Sequence, residues 1–251
     1  MTAPTAILLS LSLLGSVYAF GGGGLEPGSI AKILRAQEPE TKEEKPIEPA
    51  WRPDNASDVL VMVQAFYDGA GDLEAKFKQT YWNPTYAEAK KTSGKLQLKK
   101  PGKMVWNYAD EQDADYYANG KTLWMVEHDT RQVIRTDVDD NAEVTAALKF
   151  LFGGQKLLKE FKVRYAKKDK IERYGDADHY VLELKPKKDN AHYKGLVLIV
   201  HATTGRVDSF VVYNTDGSSN YFQLRSIKTN VGLADKLFDF KLPAGYVETE
   251  E

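Results

Sequence analysis

The sequence predicts an α+β fold in which about eleven antiparallel strands form a barrel or a strongly curled sheet. Runs of alternating apolar and polar residues, typical of half-buried strands, recur from residue 73 to residue 241. Tight-turn dipeptides separate several of these runs, at Asn119-Gly120, Thr204-Gly205 and Asp216-Gly217. Helical spacing occurs before the first run and once between the runs, so we expect the helices to cover an apolar face of the sheet.

The N-terminus has the pattern of a secretory signal peptide over residues 1–19. Ala6 to Val17 is a short apolar block that ends in Val17-Tyr18-Ala19, a small-residue pattern that suits cleavage after Ala19. The block is too short to span the roughly 30 Å hydrocarbon core of a bilayer. No Lys or Arg precedes it, which leaves an uncleaved anchor or a buried helix as alternatives. We expect an exported protein.

Residues 20–54 are predicted to be a disordered linker because they are rich in Gly, Pro and Glu and poor in apolar side chains. A short helical turn over 30–36 is compatible with this composition. The folded domain is therefore expected over residues 55–251.

The domain is predicted to begin with a helix. Asn55 to Asp58 resembles a helix N-terminus, and Gly69 would end the helix. A strand is the alternative for this Val-rich segment. From Leu73 the period changes to two, and further alternating runs lie at 92–100, 103–109, 113–118, 121–127, 132–137, 161–167, 179–185, 194–201, 206–214, 219–228 and 237–241.

A second helical region is predicted in the middle of the chain. Asp140 to Glu143 resembles a capping box, and apolar residues at helical spacing follow it up to Gly153. A further short helical piece is expected over 155–160.

The composition favours a binding protein over an enzyme. The 251 residues have a net charge of −2, which gives no reason to expect nucleic acid as a partner, and no cysteine. The four histidines have no ligand-type spacing and are expected at the surface; no metal or cofactor is expected. Asp137, Asp139 and Asp140 are explained either by a cation site or, more simply, by a loop that ends in a helix cap.

Large apolar side chains on adjacent predicted strands are the candidate binding surface. Met104, Trp106 and Tyr108 share one face of a strand by alternation, as Leu96 and Leu98 do on its neighbour. Such side chains adapt to the shape of an apolar ligand without polar demands, and an ordinary hydrophobic core is the alternative. The full candidate set is Phe77, Leu96, Leu98, Met104, Trp106, Tyr108, Trp124, Leu148, Leu151 and Phe152.

Several motifs resemble the LolA family of periplasmic lipoprotein carriers. They run in the family's order from residue 55 to about 247 and include Gly94-Lys-Leu-Gln-Leu-Lys-Lys-Pro101, Gly102-Lys-Met-Val-Trp106, Asn119-Gly-Lys-Thr-Leu-Trp124, Phe150-Leu-Phe-Gly153, Tyr180-Val-Leu-Glu-Leu-Lys-Pro186 and Leu237-Phe-Asp-Phe240. The resemblance implies an incomplete, unclosed antiparallel barrel with a helical lid over an apolar cavity. It also implies acylated lipoproteins as cargo, received from a LolCDE-type ABC transporter of the inner membrane and passed to a LolB-type receptor of the outer membrane.

One departure from the family pattern concerns the latch of the lid. The family commonly has Arg before the proline of the first motif, and here the residue is Lys100. An ammonium group can donate to helix carbonyls but lacks the planar fork of a guanidinium, so a looser latch is expected.

A lipoprotein-sensing module similar to RseB is the alternative function, and such modules carry a further C-terminal domain. We expect a monomer.

Overall fold

The computed structural model describes residues 46–109, 114–138, 157–189 and 193–250. They form one twelve-stranded sheet in the order β12-β6-β5-β4-β3-β2-β1-β11-β10-β9-β8-β7. Among the described strands β12 and β7 are the two edges, so the sheet is an unclosed barrel. The strands are β1 Asp72–Asn83, β2 Glu88–Lys99, β3 Lys103–Tyr108, β4 Asp115–Asn119, β5 Thr122–Glu127, β6 Gln132–Asp137, β7 Phe161–Tyr165, β8 His179–Pro186, β9 Tyr193–His201, β10 Val207–Asn214, β11 Ser219–Thr229 and β12 Val247–Glu250.

Neighbouring strands are antiparallel, as the tight turns predict, except that β12 pairs in parallel with β6. At the β4–β5 turn the side chain of Asn119 accepts hydrogen bonds from the backbone N–H of Lys121 (3.0 Å) and Thr122 (2.9 Å), and Gly120 adopts a φ of 101°. This left-handed conformation favours glycine and explains the Asn-Gly pair.

Helix α1 spans Ala56–Asp68 and confirms the first predicted helix. The Asn55 side chain caps it by accepting a hydrogen bond from the N–H of Ser57 at 2.9 Å, and Gly69 follows its last residue. Its buried residues are Ala56, Val59, Leu60, Val63 and Tyr67. They join the largest hydrophobic cluster together with one face of the sheet, which we call the inner face. Helix α1 therefore covers part of the inner face.

Two short helices flank β7 in the chain. Helix α2 spans Leu157–Glu160, within the predicted helical piece at 155–160. Helix α3, Lys168–Tyr174, was not predicted, because Ile171 is its only buried residue and leaves no amphipathic pattern. Ile171 packs with Val181, Val197, Ile199 and Val211 on the opposite, outer face. The helix predicted after Asp140 lies outside the described residues.

The C-terminal segment crosses the outer face. The buried carboxylate of Asp72 accepts hydrogen bonds from three successive backbone N–H groups, of Val231, Gly232 and Leu233, at 2.6–2.9 Å. The strand predicted at 237–241 is wrong, since residues Asp235–Phe238 form a 3₁₀ helix. The alternation of Phe238 and Phe240 arises because both side chains pack on the outer face of β3 to β5.

Residues 46–54, which the sequence assigns to the linker, contact β7 and β8. The hydroxyl of Tyr165 donates to the carbonyl of Pro53 at 2.6 Å, and that of Tyr180 donates to the carbonyl of Trp51 at 3.0 Å. The guanidinium of Arg52 lies 4.5 Å from the centre of the Tyr165 ring. These contacts extend the folded part to the N-terminal side of Asn55.

In the part of the chain that the structure describes, no helix is long and apolar enough to cross a membrane.

Candidate functional site

The inner face is built from rows of side chains that the strand register aligns. One row runs through Leu73, Leu98, Met104, Ala118 and Leu123, which pair with one another across β1 to β5. Each of these side chains is at most 1% exposed. Because paired residues of antiparallel strands point to the same side, the row is a continuous aliphatic surface with one thioether.

The next two rows carry aromatic side chains. Ala75, Leu96, Trp106 and Tyr116 form one, and Phe77, Gly94 and Tyr108 form the other. A Cβ atom on Gly94 would lie 2.7 Å from the Phe77 ring, so glycine leaves room for that ring to fold over the strand. The register thus brings together six predicted cavity residues: Phe77, Leu96, Leu98, Met104, Trp106 and Tyr108.

Five rings meet on this face and form what we call the aromatic cluster: Phe77, Trp106, Tyr108, Phe210 and Phe222. The Phe77 ring lies edge-on to those of Trp106 (5.4 Å between centroids) and Tyr108 (5.0 Å), and Phe222 lies 5.2 Å from Trp106. Phe210 stacks on Phe222 at 4.8 Å. The sequence analysis missed Phe210 and Phe222, although both lie on predicted strands.

Polar side chains border the aromatic cluster on one side. The Tyr108 hydroxyl donates to Oε1 of Gln79 at 2.7 Å, and Nε2 of Gln79 donates to Oδ1 of Asn220 at 2.6 Å. Thr92 donates to the same Gln79 oxygen at 3.3 Å. Gln79 lies two residues beyond Phe77 on β1, so the inner face changes from aliphatic to aromatic to polar along the strands.

Lys100 links the sheet to helix α1. Its Nζ donates to the carbonyl oxygens of Tyr67 at 2.7 Å and Asp68 at 3.2 Å, which are the last two residues of the helix. These carbonyls lack intrahelical partners, and the C-terminus of a helix carries partial negative charge. The cation therefore fixes the end of α1 beside the turn between β2 and β3.

Trp124 is not part of this surface, which corrects the expectation that it lines the cavity. It pairs with Tyr117 on β4, on the face opposite Leu123, and its ring stacks on Phe240 at 5.1 Å. Strand β5 has apolar side chains on both of its faces, Leu123 inside and Trp124 outside, because the C-terminal segment covers its outer face. Leu148, Leu151 and Phe152, the candidates from the predicted lid, lie outside the described residues.

A charged cluster lies beside the turn between β9 and β10, in which Gly205 packs against Met62 of α1. His179 bonds Asp176 through Nδ1 at 2.7 Å and Asp208 through Nε2 at 3.1 Å, and Arg206 donates to Asp208 at 2.8 Å. The pKa of His179 is raised above its ordinary value. The bond to Asp208 is the main cause and the bond to Asp176 adds to it, whereas partial burial acts in the opposite direction. Partial burial raises the pKa of Asp208, but the bonds from Arg206 and His179 outweigh it and bring the pKa to about 2. His179 is therefore a bridging group rather than the free surface residue that the sequence predicted.

The described residues contain no group of three or more His, Asp or Glu side chains placed to hold a metal ion. Asp137 ends β6, whereas Asp139 and Asp140 lie outside the described ranges. The geometry thus centres on an apolar inner face, a covering helix and one cation at the end of that helix.

Residues 68–241 match the family model described as outer membrane lipoprotein carrier protein LolA. An outer-membrane lipoprotein carrier protein of Actinobacillus succinogenes is 29% identical over 173 residues, which cover 69% of this chain and 76% of the relative. One of Legionella pneumophila is 30% identical over 159 residues, covering 63% and 73%. A crystal structure of a LolA superfamily protein from Nitrosomonas europaea aligns with 74% of this chain and 98% of its own, at 14% identity and a TM-score of 0.43. The family model spans more than half of the sequence, and the chain belongs to the LolA family.

Proposed function

We propose that this protein carries lipoproteins by binding their acyl chains on the inner face of its sheet. Membership of the LolA family supports this, as do the names of its relatives, which are carrier proteins. The observation that carries the proposal is the continuous aliphatic and aromatic surface that runs across five strands under helix α1. The relatives' names favour a carrier over a sensing module.

The proposed lining consists of Phe77, Leu96, Leu98, Met104, Trp106 and Tyr108, to which Phe210 and Phe222 are added. Burial of each methylene of an acyl chain contributes about 0.8 kcal/mol, so a long chain binds strongly to such a surface. In the structure, apolar residues of α1 such as Leu60 and Val63 pack in the same hydrophobic cluster as this surface. Cargo therefore replaces contacts of the helix rather than filling an exposed site. Because the contacts of the helix and those of the cargo replace one another, the cargo can be both loaded and released.

Lys100 is proposed to act as the latch of this exchange. Its two bonds hold the C-terminal end of α1, so α1 must lose them to move away from the inner face. The two bonds of this single, partly exposed cation contribute enough free energy to hold α1 on the inner face. The contribution is also small enough for α1 to move away when cargo binds. We propose that Leu148, Leu151 and Phe152, from the predicted helix after Asp140, add to the same lid.

The route of the protein follows from the same proposal. Residues 1–19 are proposed to be a signal peptide that is cleaved after Ala19, and residues 20–45 a linker to the carrier domain. The domain includes residues 46–54, which contact β7 and β8, and acts as a monomer in the periplasm. The proposed donor of cargo is a LolCDE-type transporter, and the proposed acceptor is a LolB-type receptor. No catalytic step is part of this function.

Native mass spectrometry of the full chain, expressed with its own N-terminus and purified from the periplasm, tests the proposal. We expect a fraction of the protein to carry a mass increment equal to a triacylated lipoprotein, which collisional activation releases. Absence of any acylated ligand, under conditions in which an established carrier retains one, would contradict the proposal.

A further inference from the structure

One polar atom within the aromatic cluster is left without a partner. The indole Nε1 of Trp106 is buried and has no hydrogen-bond acceptor among the described residues. Trp106 as a whole is 5% exposed, so solvent does not satisfy this group. Indole N–H is a donor only, and a buried donor without an acceptor is unfavourable compared with a hydrogen-bonded one.

The surroundings of Trp106 explain why the donor stays unpaired. Rings of Phe77 and Phe222 lie edge-on to it, and the Tyr108 ring is stacked parallel to it at 6.5 Å. The polar groups of the neighbouring rows are engaged elsewhere, since the Tyr108 hydroxyl donates to Gln79 and Gln79 donates in turn to Asn220. A ring face is a weak acceptor for an N–H group, so a carbonyl oxygen brought to this point would form the stronger bond.

We propose that Trp106 Nε1 donates a hydrogen bond to the ester carbonyl of bound acyl cargo. The inference rests on the proposed function, because it assumes that acyl chains occupy the inner face. An acyl chain presents one strong acceptor, the carbonyl oxygen at its attachment to glycerol, and a hydrocarbon tail presents none. Trp106 thus recognises ester-linked chains as a chemical class and places the carbonyl at a fixed depth.

The polarity of the inner face gives the bound chain a direction. The rows of Leu96 and Leu98 are apolar, whereas Gln79 and Asn220, beyond the Phe77 row, can accept or donate hydrogen bonds. With its carbonyl at Trp106, the chain extends over the aliphatic row of Leu98, and the glyceryl end lies toward Gln79. The row of Gln79 lies two rows, or about 14 Å, beyond that of Trp106, so the glyceryl group and the groups attached to it extend toward the polar border.

The test compares a diester with its diether in binding to the full chain. Dioctanoyl glycerol and dioctyl glycerol have chains of equal length but differ in the carbonyl oxygens, and each displaces a fluorescent fatty acid from the protein. We expect the wild-type protein to bind the diester about three to ten times more tightly than the diether. Trp106→Phe keeps an aromatic ring without the N–H, and it should bring this ratio close to one.

Trp124→Phe is the matched control, because Trp124 lies on the outer face and the variant should keep the wild-type ratio. Comparing ratios within each protein cancels general losses of affinity caused by the smaller ring. Equal affinity of the wild-type protein for both lipids, or an unchanged ratio in Trp106→Phe, would overturn the inference while leaving the proposed function intact. Failure of both lipids to displace the probe would contradict the proposed function itself.

Discussion

Replacing Lys100 by Met should open helix α1 without unfolding the sheet. The variant keeps most of the aliphatic stem but removes the ammonium that donates to the carbonyls of Tyr67 and Asp68. A hydrogen bond to a charged group contributes about 1.5–3 kcal/mol when buried, and a charge at a helix end about 0.3–1 kcal/mol. Since the site is partly exposed, solvent reduces the sum, and we expect a loss of about 1–2 kcal/mol.

A loss of this size multiplies the population of the opened helix by about 5–30. Native-state hydrogen exchange measures it directly, because the amides of α1 should exchange faster by that factor while those of β1 and β10 keep their rates. Lys100→Arg should restore slow exchange. Lys103→Met is the control, since Lys103 pairs with the exposed Asp235 and the removed pair involves no residue of α1. Equal exchange of α1 in Lys100→Met and Lys103→Met would refute the latch.

Two further predictions concern the groups that support α1. Gly205→Ala should lower the free energy of unfolding by about 1–3 kcal/mol, because the residue has a φ of 74° and its Cβ would lie 2.4 Å from the Met62 carbonyl oxygen. Gly232→Ala, with a φ of 77° and open space around it, should cost clearly less in urea unfolding, and an equal cost would mean that the contact with α1 is unimportant. His179→Gln should destabilise the protein more at about pH 5.5 than at about pH 8.5. The pKa of His179 is raised in the folded protein, so its charged ring contributes stability below the unfolded pKa of about 6.5. This contribution is lost as the pH rises through the folded pKa. The same urea titrations decide this, and a loss that does not depend on pH would show that the bonds of His179 to Asp208 and Asp176 need no charge on the ring.

The inner rows of β2 and β3 could be predicted from sequence because alternation and a hairpin fix them. Residues i and i+2 of a strand share a face, so Met104, Trp106 and Tyr108 had to lie together. The short turn at Pro101-Gly102 sets the register that places Leu96 opposite Trp106. The first helix was predictable for a similar reason, since its cap and its end are local.

Trp124 shows where such reasoning fails. Leu123 and Trp124 are adjacent apolar residues, and alternation alone does not say which of them faces inward. The answer depends on the C-terminal segment, whose Phe240 covers the outer face more than a hundred positions later in the chain. Phe210 and Phe222 were missed because they reach Phe77 and Trp106 only through the long-range pairing of β1 with β11. The partners of His179 likewise depend on how β8, β9 and β10 align.

The most direct test of the account is the acyl occupancy of the inner face in the protein taken from the periplasm. Native mass spectrometry of the full chain should find part of the wild-type protein bound to acylated lipoprotein. Trp106→Asp, which places a charge in the middle of the aromatic cluster, should be free of it. The charge-state distribution in the same spectra reports whether the variant is folded, and Trp124→Phe should retain the cargo. Equal lipoprotein occupancy of folded Trp106→Asp and the wild-type protein would contradict the claim that acyl chains bind on the inner face.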